Sequence, residues 1–244
     1  RDSLTTEDFT STVRCTDVKH FDPITTNNFI TVSAININNP TATIEKEVIL
    51  GSGQNVYVSL ENLYIAQEDY NYYNEFTTNK NQPREKTIIH KFSLDNGEIN
   101  YQGNGIAPGR ILNQFSMDEH NSYFRIATTI GHVSRTVEEA STNNIFIFDN
   151  NLNLAGSVEN LAPGEKIYST RFLGDRAYMV TFKKVDPLFV LDLSDPRNPE
   201  VLGKLKIPGF SDYLHPYDEN HIIGIGKDTV EAEEGNFAWY QGLK

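Results

Sequence analysis

Apolar and polar residues alternate along most of this chain in short runs of about 5–8 residues, the period-two pattern of β-strands with turn residues between them. The runs recur in sets of four. A first strand, a polar turn and a second strand are carried by NVYVSLENLYIAQ, QFSMDEHNSYFRIAT, KIYSTRFLGDRAYMVTF and DYLHPYDENHIIGIG. A third strand runs into a turn in SAININNP, HKFSLDNG, IFIFDNNL and LFVLDLSDP. A fourth, in TIEKEVIL, INYQGNG, LAGSVEN and EVLGKLKI, leads back to a glycine. That glycine closes IAPG (Ile106–Gly109), LAPG (Leu161–Gly164) and KIPG (Lys206–Gly209), with a degenerate LGSG ending at Gly53.

The spacing of those glycines is informative. Gly53 and Gly109 are 56 residues apart, Gly109 and Gly164 are 55, and Gly164 and Gly209 are 45. The connection between second and third strands spans 69–87, 129–143 and 183–186, which is 19, 15 and 4 residues. Without it the units are 37, 40 and 41 residues long. A near-constant four-stranded module with variable loops is the mark of a β-propeller blade. The expected fold is therefore all-β, a propeller of four-stranded antiparallel blades, as a single domain or a slice of a larger ring. Blades are expected at about 53–105, 109–160 and 164–207, flanked by half-blades at 29–50 and 210–227, with 228–244 opening the next loop. The halves either join to close a four-bladed ring or belong to a larger one. The chain starts Arg1-Asp2, without an initiator Met, and reads as an excerpt or a processed form.

Composition narrows the partners. With 244 residues, 14 Phe and 12 Tyr, the chain has ample material for a core. Its formal charge of −12 repels phosphate backbones and anionic lipid, which argues against nucleic acid and membrane surfaces. No apolar run is long enough to span a bilayer. Cys15 is the single cysteine, so neither an intrachain disulfide nor a multi-thiolate metal site can form.

Two stretches carry a family resemblance. YSTRFLGDRAYMVTFKKVDPLFVLDLSDPRNPEVLGKLKIPGFSDYLHPYDENHIIGIGKDT, with the closing EEGNFAWYQGLK, resembles secreted bacterial and archaeal proteins that end in a β-propeller distantly related to WD-type repeats. The resemblance implies a propeller longer than this chain holds and a secreted or cell-surface location. It implies no particular reaction and no catalytic residues.

The expected functional surface is the face carrying the long second-to-third-strand loops, 69–87, 129–143 and 228–241, because the turns on the other face are short. Candidate ligand-binding residues there are Tyr70, Tyr72 and Tyr73 in EDYNYYNEF, His132, then Lys183, Lys184 and Asp186 in KKVDP, and Trp239 and Tyr240 in NFAWYQ. Tyrosine offers large contact area with a polar tip, and two adjacent lysines in an acidic protein can meet an anion or an acidic peptide.

Metal and catalytic readings are weaker. HPYDENH sets His215, Asp218 and His221 around a tight turn, and DVKHFDP holds Asp17, His20 and Asp22, but neither supplies a full ligand set. Asp228, Glu231, Glu233 and Glu234 are dense enough to hold Ca²⁺ yet lack the spacing of a calcium loop, and a solvated acidic loop is the simpler reading. GSGQN is not a nucleophile elbow, and GNGIAPG lacks the Lys-Ser/Thr of a phosphate loop. The expectation is a non-enzymatic module without a cofactor that recognises a protein, peptide or glycan. The alternatives are a metal-dependent hydrolase or lyase at the propeller channel, or a structural spacer of a cell-surface protein. Oligomeric state stays open.

Overall fold

The glycine that closes each repeat has a backbone cause. The computed structural model describes residues 13–20, 26–39, 41–70, 85–133, 140–182, 186–207, 209–218, 220–231 and 238–244. In it Gly109, Gly164 and Gly209 have φ of 86°, 83° and 78°, a region that side chains disfavour. A Cβ on Gly109 would stand 2.7 Å from the Thr129 carbonyl oxygen, and one on Gly209 2.2 Å from that of Lys227. The amides of Gly109 and Gly164 each donate to the carbonyl of the first residue of the unit's third strand, Glu85 and Ser141, at 2.8 Å. The repeated Gly is thus the point where the chain leaves one sheet and crosses tightly to the next.

Five sheets follow in chain order. The first has β2 (Phe29–Ala34) antiparallel to β3 (Glu45–Leu50), with the short β1 (Val18–Lys19) added in parallel to β3. The second contains β4 (Asn55–Val58), β5 (Asn62–Tyr70), β6 (Glu85–Asp95) and β7 (Glu98–Pro108). The third contains β8 (Met117–His120), β9 (Tyr123–Gly131), β10 (Ser141–Phe148) and β11 (Leu154–Leu161). The fourth contains β12 (Lys166–Leu173), β13 (Arg176–Phe182), β14 (Asp186–Asp192) and β15 (Glu200–Ile207). The fifth contains β16 (Phe210–Pro216), β17 (Ile222–Glu231) and β18 (Ala238–Leu243). The last four sheets are antiparallel meanders in which neighbours in sequence are neighbours in space. Tight turns make this possible: Asn96-Gly97, with φ of 49° and 89°, joins Asp95 to its partner Glu98 as a two-residue hairpin.

Apolar clusters lie between successive sheets. Ile49, Ile65 and Phe92 join the first to the second, and Tyr64, Ile89, Phe124 and Phe146 the second to the third. Ile145, Ile147, Met179 and Leu191 join the third to the fourth, and Val180, Phe182, Phe210 and Leu214 the fourth to the fifth. Central strands are consequently buried on both faces. Thr87–Phe92 on β6 and Asn143–Phe148 on β10 are buried at every position, whereas β15 is exposed along nearly its whole length. Strict alternation survives only where a strand has one wet face, as on β2.

One expectation is corrected. Within 228–244 the described residues 228–231 and 238–243 are strand and not loop: β17 continues to Glu231, and β18 pairs with it through Lys227–Leu243, Asp228–Gly242, Thr229–Tyr240 and Val230–Trp239. The acidic, polar composition of KDTVEAEEGN suggested a solvated loop. These strands instead use backbone pairing, with a register shift between Asp228 and Thr229; Asp228 is exposed and Thr229 half-buried, and Glu233 and Glu234 lie outside the described residues.

Candidate ligand groove

The first strand of each meander is an edge strand, and these edges meet. Ser169 Oγ on β12 donates to the Ser211 carbonyl on β16 at 2.6 Å. Tyr57 on β4 accepts the Glu119 amide of β8 at 3.1 Å and donates to Asp118 at 3.4 Å. Phe115, in a 3-10 turn at Gln114–Ser116 capped by the Asn113 side chain, packs against Tyr213 of β16 with ring centroids 5.8 Å apart. A groove of about 290 Å³ opens among them, lined by Val56, Tyr57, Val58, Gln114, Phe115, Met117, Asp118, Arg171 and Phe172.

Two arginines near the groove are in opposite situations: Arg171 lines it, and Arg125 lies buried behind Asp118. Arg125 on β9 is buried, donates through Nε (2.9 Å) and Nη2 to Asp118 Oδ2, sends Nη1 to the Gly174 carbonyl at 2.6 Å, and lies over the Phe172 ring. Its charge and its donors are spent inside the protein. Behind it the polar chain continues, with Asn62 Nδ2 donating to Glu119 Oε1 at 2.8 Å. Burial, followed by the carboxylates of Asp118 and Glu119, pushes the Tyr57 hydroxyl above the usual phenol range, and burial and Glu119 do the same to Tyr64. Both hydroxyls stay protonated as donors. Arg171 on β12 is only partly buried, and its contacts are two aromatic rings, Phe115 at 4.8 Å and Tyr213 at 5.8 Å. Among the described residues no carboxylate or carbonyl pairs with it.

A second cavity, about 470 Å³, lies on the short-turn side between the second and third sheets. Its walls are polar, with Asn62, Ser93, Gln102, Asn150 and Asn151, and at its base is Lys91. Lys91 is buried and donates to the Asn150 carbonyl (2.9 Å) and side-chain oxygen (2.6 Å). Burial lowers its pKa, opposed by the nearby carboxylates. Both hydrogen bonds hold the turn Asn150–Leu152 against β6, a structural use for a buried ammonium.

None of the residues expected from sequence lines either cavity. Tyr72, Tyr73, Lys183 and Lys184 lie outside the described residues, while Tyr70 and Asp186 are described only as the last residue of β5 and the first of β14. His132 is exposed just beyond β9. Trp239 and Tyr240 are strand residues of β18 and not part of a loop, a correction that follows from the pairing of β17 with β18, and both are largely exposed. At the HPYDENH turn the two histidines take separate partners: His221 Nδ1 sits 2.8 Å from Asp218, and His215 Nδ1 sits 3.0 Å from the Tyr213 hydroxyl. Among the described residues no three of His, Cys, Asp and Glu converge as a metal site.

Arg171, Phe115 and Tyr213 were absent from the sequence candidates. Their signal is weak, an Arg and two rings far apart in sequence, which only the meeting of edge strands brings together.

Successive four-stranded antiparallel meanders, packed face to face with their first strands gathered on one side, define a blade-type repeat protein. Comparison with known families agrees: a model described as β-propeller domain matches residues 3–244, and the chain belongs to that family. It is similar to an uncharacterized protein of Methanocaldococcus jannaschii, 52% identical over 144 residues, covering 59% of this chain and 22% of that protein. It is also similar to an uncharacterized protein of Archaeoglobus fulgidus, 43% identical over 176 residues, covering 72% of this chain and 26% of that protein. The chain thus matches about a quarter of the length of these relatives.

Proposed function

We propose that this chain is a non-enzymatic binding module whose ligand, a peptide or protein segment, enters the groove between the gathered first strands. The observation that carries this reading is the groove wall itself. It combines exposed apolar side chains, Val56 at 48% and Val58 at 53%, with a guanidinium whose hydrogen-bond donors are unspent. Its other ionised pair, Asp118 with Arg125, is closed on itself and poised as scaffold. Such a mixture of an apolar wall and a few placed polar groups is what recognition sites share.

In the same reading the sheets are blades, and further sheets of a longer polypeptide continue the ring. Ile223 and Ile225 support this: they point away from the fourth sheet and are 44% and 52% exposed, while their neighbour Ile222 packs inward.

The test is selection of linear peptides from a random display library against the 244-residue chain, with Val58→Glu as counter-target. Enriched peptides that bind the chain and lose binding to Val58→Glu are expected. Peptides that bind both proteins equally, or no enrichment at all, would overturn the reading.

A further inference from the structure

Arg171 has no hydrogen-bond or ion-pair partner for its side chain among the described residues. It belongs to an inner edge strand, and its guanidinium carbon lies 4.8 Å from the Phe115 ring centroid and 5.8 Å from that of Tyr213, two rings that meet edge-on at an interplanar angle of 67° and bound it from one side. The guanidinium carries five N–H donors in a fixed in-plane fork, and the two rings supply no carboxylate or carbonyl oxygen to take them. Arg125 shows what this protein does with an arginine meant as scaffold: a carboxylate and a carbonyl take its donors. Among the described residues Arg171 receives neither, although the chain carries 33 acidic residues against 21 basic ones. A partly desolvated guanidinium with empty donors gains most from a ligand that supplies two coplanar acceptors.

We propose that Arg171 anchors a carboxylate borne on an apolar body, with the carboxylate in the plane of the guanidinium and the apolar part against Val56, Val58 and Phe172. Three observations choose this class. The groove, at about 290 Å³, has room for one side chain or a small acid. Its wall sets two exposed valines, backed by the buried Met117 and Phe172, beside the polar Tyr57, Gln114 and Asp118. Asp118 shares the groove and the whole chain is at −12, so the second charge of a phosphate is disfavoured where a single carboxylate charge is tolerated. Gln114, exposed at the rim, stands where its amide meets the ligand's polar end. For a peptide ligand the anchor is an acidic side chain or a terminal carboxylate next to an apolar residue.

This inference rests on the groove-binding reading above, and its test separates the two. The probes are 3-phenylpropanoate, its amide 3-phenylpropanamide, and inorganic phosphate, titrated into the full chain by calorimetry and followed by the arginine Nε–H signals. The acid is expected to bind at least about tenfold more tightly than the amide, and to shift the Arg171 Nε–H signal. Arg171→Gln, which removes no internal hydrogen bond and so preserves the fold, should bring the acid down to the affinity of the amide. Arg171→Lys should recover only part of the difference, because an ammonium keeps the charge without the fork. Equal binding of acid and amide would overturn the carboxylate anchor while leaving the groove as a binding site. Phosphate binding as tight as the acid would replace the proposed class with a plain anion site. Absence of binding by all three probes would overturn the anchor, and the peptide selection would then decide the groove independently.

Discussion

Acidification places a proton on a buried imidazole. His90 lies in the middle of β6, paired across the sheet with Ile65 and Asn104, and has no exposed surface. Its Nδ1 is 3.4 Å from the Tyr101 hydroxyl, and the two rings are tilted at 6.2 Å. Burial disfavours the imidazolium and lowers the pKa from 6.5 to about 4. The sign follows directly. The unfolded chain binds the proton near its ordinary pKa, whereas the folded chain resists it until about pH 4. The stability linked to a neutral His90 is therefore complete above about pH 6.5, falls between about 6.5 and 4, and is flat below that. A gap of that size corresponds to about 3 kcal/mol, a large share of the stability of an ordinary domain. The assay is urea unfolding at a series of pH values for the parent chain and His90→Asn, taking the difference between the two curves. Subtraction removes contributions common to both proteins, those of the surface pairs His120–Asp175 and His221–Asp218 included. The difference should shrink by about 3 kcal/mol on going from neutral pH to pH 4, and an NMR titration should place the His90 midpoint near 4. Parallel curves, or a midpoint near the free value, would refute the burial argument.

Three further outcomes are expected. Asp118→Ala strands the buried Arg125 guanidinium and should cost about 3–5 kcal/mol in unfolding free energy, far more than breaking an exposed ion pair such as Arg14–Asp17; a loss no larger than that of the exposed pair would mean that water replaces the carboxylate. Gly109→Ala combines a positive φ with a clash at 2.7 Å against backbone and should destabilise by clearly more than Gly97→Ala, which has positive φ but open space and should cost about 1 kcal/mol; equal losses in denaturant melts would show that the crossing can relax. Ile223→Glu with Ile225→Glu should be nearly silent in the melt of the 244-residue chain, yet should destabilise the longer polypeptide by several kcal/mol, since burying an unpaired carboxylate between sheets is costly; silence in both would refute the continuing ring.

Much of this fold is legible in the chain because its determinants are local. A two-residue Asn-Gly turn needs positive φ at both positions, and Asn96-Gly97 shows it. The Pro-Gly that punctuates the repeats marks tight crossings whose backbone only glycine accepts, as at Gly109 and Gly209. Where local composition misled, as in KDTVE (227–231), the deciding interaction was pairing with a strand after a connection, between Thr229 and Tyr240. Double-sided burial of β6 and β10 was equally invisible as alternation, since a strand sandwiched between sheets no longer has a polar face. The groove depended wholly on tertiary structure. Arg171 and Tyr213 come from the first strands of two sheets and Phe115 from the 3-10 turn that precedes a third, and no spacing rule relates them, because the distance between edge strands is set by how the sheets pack. Sequence alone therefore determined the repeating strand–turn–strand unit, through turn geometry and period. Which side chains face each other across the gathered edges, and hence which charge is left for a ligand, was decided only when the sheets closed on their shared cores.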